Sequence, residues 1–123
     1  MEKRKIIEWT EYSEYRELTI PGGEIWMNES ELVDLFGVFI PKLRNTIKKL
    51  YNEELVKPYE AERTIKVRQG LYLTIYNMEV VMQLAFRLNS YQARAVRKEL
   101  MERISRDRKP FEVILMPIHS SSS

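Results

Sequence analysis

Cysteine is absent from the 123 residues, and histidine occurs once, at His119. The first absence excludes disulfides and thiolate chemistry and fits a reducing cytoplasm. The second leaves one imidazole beside a run of serines, a poor position for acid–base catalysis or metal binding. There is no glycine-rich phosphate loop and no Cys/His cluster. Glu53 and Glu54 are adjacent, so their carboxylates need not converge, and they read as solvated. No apolar run approaches the roughly 20 residues that a membrane-spanning helix needs. The basic start, MEKRKIIEWTE, lacks the apolar core of a signal peptide, so export is not expected. The expectation is a cytoplasmic non-enzyme with no catalytic residue, cofactor, metal or small-molecule substrate.

What is present is the balance of a globular domain, 44% hydrophobic and 31% charged. The length fits one domain over residues 1–118, with 119–123 a disordered, serine-rich tail. The net charge of +2 is unevenly placed: residues 1–39 carry 4 basic and 9 acidic side chains, 40–70 carry 8 and 4, and 71–123 carry 8 and 5. A basic patch on a nearly neutral chain suits a nucleic-acid partner whose binding weakens with salt.

The positive segment begins inside the most informative stretch, WMNESELVDLFGVFIPKLRNTIKKL, residues 26–50. Asn28 followed three residues later by Glu31 is the spacing of a capping box, and Leu32, Val33, Leu35 and Phe36 give a short amphipathic helix. Gly37 stops it in a left-handed conformation. Pro41 suits the first turn of a second helix, on which Leu43, Ile47 and Leu50 make one buried stripe. The opposite face then carries Arg44, Asn45 and Lys48, with Pro41 and Lys49 beside them. This is helix-turn-helix spacing with groove-reading chemistry: Arg chelates guanine edges, Asn adenine edges, and Lys neutralises phosphate. The plain alternative is a helical hairpin with a solvated basic face.

Trp9, Tyr12 and Tyr15 recur at helical spacing, either a short helix or an anchoring aromatic set without a ligand. Residues 16–20 and 24–27 predict a hairpin around Pro21, Gly22 and Gly23, with Trp26 in the core. Pro58 ends the second helix, and residues 56–60 read as a connector. ERTIKVRQGLYLTIY predicts a second hairpin. A three-residue loop, Arg68, Gln69 and Gly70, puts Ile65, Val67, Leu71, Leu73 and Ile75 on one buried face and Gly70 in a left-handed conformation. Lys66 and Arg68 would then sit where a DNA-contacting wing places its cations, or simply keep an exposed hairpin soluble. Asn77 caps a nearly all-apolar helix over 78–88, and Ser90 caps another from 91 to about 106, with Ala93, Val96, Leu100 and Ile104 inward. Arg94, Arg97 and Lys98 are a solvated face or a second phosphate contact. FEVILMPI, residues 111–118, is apolar enough to predict a strand added to a sheet edge, within the chain or across a homodimer.

In order and spacing these motifs resemble the RhuM family of bacterial proteins of mobile elements. The resemblance lies in an aromatic-led strand (Ile25, Trp26), LFGV at the helix turn (35–38), a tyrosine–asparagine helix start (Tyr76, Asn77) and the helix end RLNS (87–90), over roughly residues 16 to 105. The chain departs from the pattern at Phe39 and Ile40, where polar residues are usual after the turn. It departs again at Val96 and Glu99, which flank Arg97 where an aromatic pair is usual. The resemblance implies DNA binding, as a transcriptional regulator or accessory factor of a mobile element.

The expected fold is therefore α+β: a helix-turn-helix or winged-helix-like domain with a small antiparallel hairpin and two C-terminal helices. Lys42, Arg44, Asn45, Lys48, Lys49, Lys66 and Arg68 are the candidate contacts to duplex DNA. The alternative is a protein-interaction module on the same scaffold, with Phe39, Ile40, Phe111, Val113 and Leu115 as its surface.

Overall fold

In the computed structural model, which describes residues 4–107, three strands, two helices, a one-turn helix, two more strands and two helices follow one another. The expectations for residues 111–118, Phe111, Val113 and Leu115 among them, and for the tail at 119–123 lie outside the described residues.

β1 (Glu8–Glu11) and β2 (Arg16–Thr19) pair antiparallel, with Trp9 opposite Leu18. This overturns the hairpin around Pro21, Gly22 and Gly23 and the short-helix alternative for the aromatic set. The aromatic spacing makes no helix, and β2 does not pair across Pro21, Gly22 and Gly23. The physical reason is the turn before β2, which its own contacts close. Tyr12 N–H donates to the Tyr15 carbonyl at 2.8 Å and the two rings stack at 4.6 Å, so closure there costs little loop entropy. Trp9 does anchor: its Nε1 donates to the Leu35 carbonyl at 2.9 Å.

β3 (Trp26–Asn28) runs into α1 (Glu29–Phe36), and the capping box is complete: Glu31 N–H donates to Asn28 Oδ1, and Asn28 N–H to Glu31 Oε1, both at 2.8 Å. Gly37 ends α1 with φ +62°. α2 (Ile40–Asn52) carries Pro41 in its first turn and buries Leu43, Thr46, Ile47 and Leu50. The single turn α3 (Pro58–Ala61) occupies the segment expected as an irregular connector.

β4 (Glu62–Arg68) and β5 (Leu71–Asn77) form the second hairpin, and β3 joins it in the order β3-β5-β4. From Glu62 to Lys66 the register is the one a three-residue loop demands, with Ile65 opposite Leu73. A shift between Lys66 and Arg68 then sets Arg68 opposite Leu71 and leaves only Gln69 and Gly70 at the tip. Gly70 has φ +77°. The expected face holds for Ile75, which is buried, but it is not the face that meets the helices. Met27 lies opposite Tyr76 and both enter the helical core, so alternation turns Ile65, Leu73 and Ile75 to the outer side, with Trp26. The strand LYLTIYN carries large side chains on both faces, so alternation alone does not say which is inside. Trp26 is accordingly not core; the Arg63 guanidinium lies 4.2 Å from its ring centroid and its Nε1 donates to Glu24. Leu71 is exposed.

α4 (Met78–Arg87) is capped by Asn77, whose Oδ1 accepts from Val80 N–H at 3.2 Å. α5 (Tyr91–Asp107) is capped by Ser90, whose Oγ accepts from Ala93 N–H at 3.0 Å and donates to the Phe36 carbonyl. Val80, Val81, Leu84, Ala85, Ala93 and Val96 are fully buried against α1 and α2. Ile104, expected inward, is exposed because α5 outruns the core beyond Leu100. The fold is thus a small α+β unit in which three antiparallel strands close one side of a helical core.

Candidate nucleic-acid interface

The buried stripe of α2 leaves Lys42, Arg44, Asn45, Lys48 and Lys49 exposed on the other side of the helix, as the 3.6-residue period requires. Among the described residues Lys42, Lys48 and Lys49 have no ion-pair partner, and Asn45 makes no side-chain hydrogen bond. Thr46 accounts for its own burial by donating to the Lys42 carbonyl at 2.8 Å.

Arg44 differs from its neighbours. Its Nε and Nη2 donate to the two carboxylate oxygens of Glu29 at 2.7 and 2.9 Å, a two-point clasp from the second helix to the start of the first. Those hydrogen bonds hold the Glu29 carboxyl below the usual range, and they raise the already high Arg44 guanidinium value. The pair is exposed, so it is readily exchanged for another anion. Arg44 is therefore a cation already orienting toward an anion, rather than one waiting in solvent.

Beside it, α1, α2 and β5 enclose an open groove of about 590 Å³ whose walls include Glu29, Ile40, Arg44, Tyr72, Thr74 and Tyr76. Tyr76, mostly buried, has its phenol pushed up to about 12 by burial first and by the nearby Glu62 carboxylate second. Tyr51 is raised by burial and by donating to Glu62 at 2.5 Å, a bond that ties the end of α2 to the start of β4. Both phenols are neutral at physiological pH and serve as apolar bodies with one polar atom.

Lys66 and Arg68 are exposed on the hairpin; Lys66 Nζ lies 3.3 Å from Gln69 Oε1, and Lys66 stands opposite Tyr72. The cross-strand pair puts Lys66 and Tyr72 on the sheet face that Tyr76 and Met27 share, the face turned to α2. Only Lys66 shares that face; beyond the register shift Arg68 stands opposite Leu71, on the side of Leu73 and Ile75. Phe39 is 85% exposed and Ile40 41%, both at the start of α2.

Two residues that sequence reasoning missed belong to this surface. Tyr72, 59% exposed, could have been found from the hairpin register. Glu29 could not, because its contact with Arg44 spans fifteen positions and two helices. Arg94 and Arg97 are occupied elsewhere: they donate to the carbonyls of Asn89 at 2.6 Å and Phe86 at 3.2 Å, closing the α4–α5 turn. Among the described residues no group of three or more Asp, Glu or His side chains could hold a metal ion, and no helix is long and apolar enough to cross a membrane. No family model, curated protein or solved structure matches the chain.

Proposed function

We propose that this domain binds duplex DNA in a winged-helix-like manner. α2 would lie in the major groove and the β4–β5 hairpin would rest against the neighbouring backbone. The observation that carries the reading is the unpaired, exposed set Lys42, Asn45, Lys48 and Lys49 on one face of α2; the hairpin adds two further exposed cations, Lys66 and Arg68. Phosphate contacts from the lysines supply affinity and register, while Asn45 and Arg44 supply base-edge donors and acceptors. The resemblance to the RhuM family extends the reading to a regulator or accessory factor of a bacterial mobile element, acting in the cytoplasm.

The test is duplex binding at two salt concentrations. Log affinity is expected to fall linearly with log salt, by about 0.9 for each phosphate neutralised. Replacing Arg44 and Lys48 together by Ala is expected to abolish sequence-selective binding while leaving the protein folded, since both are exposed and only the Arg44–Glu29 pair is lost. A double variant that binds like the parent removes α2 as the reader.

A second reading, a protein-interaction module without DNA binding, is favoured by one observation. Trp26, Ile65, Val67, Leu73 and Ile75 line an open groove of about 680 Å³ on the outer side of the sheet. Under that reading solution mass rises with concentration or partner, and Arg44 and Lys48 are dispensable.

A further inference from the structure

Phe39 and Ile40 have no packing task that the fold requires of them. Leu43, Ile47 and Leu50 seal the inner side of α2 completely or nearly so, and Val38 packs against the core from the turn. Phe39 is nevertheless the most exposed of the large apolar residues described, and Ile40 follows it directly. Phe39 is also the residue that precedes the helix, with φ −83° and ψ 156°, and it makes no side-chain capping bond. Ser, Thr, Asn or Asp at that position would satisfy a first-turn N–H. The chain forgoes that stabilisation and shows water an aromatic ring.

Resting on the DNA-binding reading above, we infer that Phe39 and Ile40 read a pyrimidine C5-methyl group in the major groove. When a helix-turn-helix docks, the N-terminal residues of its second helix meet the base edges. Here those residues are apolar, and so is the following Pro41, which has no N–H to offer. The edges of the four bases in the major groove carry donors, acceptors and one apolar group, the methyl of thymine. Methylated cytosine places the same methyl at the same position on its ring. Side-chain wedges that unstack base steps work from the minor groove, so insertion between bases is not the geometry of this helix start. Arg44, Asn45 and Lys48 lie about one turn further along and take the polar edges and phosphates. The site is thereby given a class: thymine, or 5-methylcytosine, under the start of α2.

The experiment begins with selection from a random-sequence duplex library by the whole chain. The selected duplex is then remade with deoxyuridine for thymidine at each position in turn, and with cytosine or 5-methylcytosine at the sensitive positions. The expected result is a loss of roughly fourfold for each contacted methyl, the worth of one buried methyl group. A 5-methylcytosine duplex should regain a similar factor over cytosine, and Phe39→Ala should bind thymidine and deoxyuridine duplexes equally. Phe39→Ala is expected to fold, because its ring touches little, and its circular dichroism and melting curve verify this. Equal binding of thymidine and deoxyuridine duplexes by the parent overturns the inference and leaves DNA binding intact. So does a Phe39→Ala variant that weakens both duplexes alike, or one that instead changes solution mass, which would make the ring a protein contact. Recovery of no duplex overturns the DNA-binding reading and this inference with it.

Discussion

Arg44 leaves α2 on the side facing β5, where its guanidinium meets both oxygens of Glu29. If α2 approaches a phosphate, the carboxylate opposes it and competes for the same cation. Glu29→Gln should therefore raise duplex affinity and steepen the salt slope by about one phosphate's worth, ~0.9, as read by titration at several salt concentrations. The pH dependence has a definite sign. The Glu29 value is lowered in the folded protein, so its stabilisation is present above the ordinary carboxylate value of 4.5 and disappears as pH falls through the lower folded value. Glu29→Gln should accordingly be the less stable protein at neutral pH, and the difference should close in acid. The phenols act at the other end of the scale. Tyr51 and Tyr76 have raised values, so their contribution is intact below about pH 10 and is lost as pH climbs through the folded values. Tyr51→Phe removes the bond to Glu62 and should cost about 1 kcal/mol in urea unfolding at neutral pH. It should also blunt the alkaline loss of stability.

At the scale of elements, the turn between α1 and α2 depends on a glycine for two separate reasons. Gly37 has φ +62°, and a Cβ there would stand 2.0 Å from Gln92 Oε1. The same glutamine donates to the Asp34 and Leu35 carbonyls at 2.9 and 3.1 Å, fastening α5 over the end of α1. Gly37→Ala thus imposes left-handed strain and displaces a bonded side chain, about 2–3 kcal/mol together. Gly70→Ala meets nothing within 4 Å despite φ +77°, so only the backbone term of about 1 kcal/mol remains. Urea midpoints should rank the parent first, then Gly70→Ala, then Gly37→Ala. Equal midpoints for the two variants would show that the Gln92 contact contributes nothing. The α4–α5 turn is built on the same economy of parts: Ser90 caps α5 and grips α1 at once, and Arg97 spans from α5 to the end of α4.

For the whole molecule the relevant quantity is the placement of charge. The acidic excess lies in the first 39 residues and the basic excess begins with α2. The fold leaves both the outer face of α2 and the hairpin cations Lys66 and Arg68 exposed. A single polyanion spanning both should feel them additively, since α2 and the hairpin tip share no side-chain bond among those described. Lys66→Ala and Arg68→Ala should each lower the salt slope by about 1 and weaken all duplexes alike, whereas Asn45→Ala should relax selectivity at one base pair. Competition binding against selected and scrambled duplexes separates the two behaviours. If Lys66→Ala instead altered selectivity, the hairpin would be reading bases rather than resting on the backbone.

What the chain determines without its tertiary structure is local: the capping box at Asn28 and Glu31, the left-handed stops at Gly37 and Gly70, Pro41 in a first turn, and the caps at Asn77 and Ser90. Each depends on residues within a few positions, and so does the period that turns Leu43, Ile47 and Leu50 inward and Asn45 and Lys48 outward. Tertiary structure alone decided which strands pair and which sheet face is covered. Residues 16–19 pair backward through the turn at Tyr12 and Tyr15 rather than forward, and β3 pairs with β5, more than forty residues further along the chain. Both faces of LYLTIYN carry large side chains and the fold buries one residue of each, Tyr76 and Ile75, so pattern could not say which face meets the helices. The Arg44–Glu29 clasp was equally invisible, because it exists only once two helices have been set at an angle by the core beneath them.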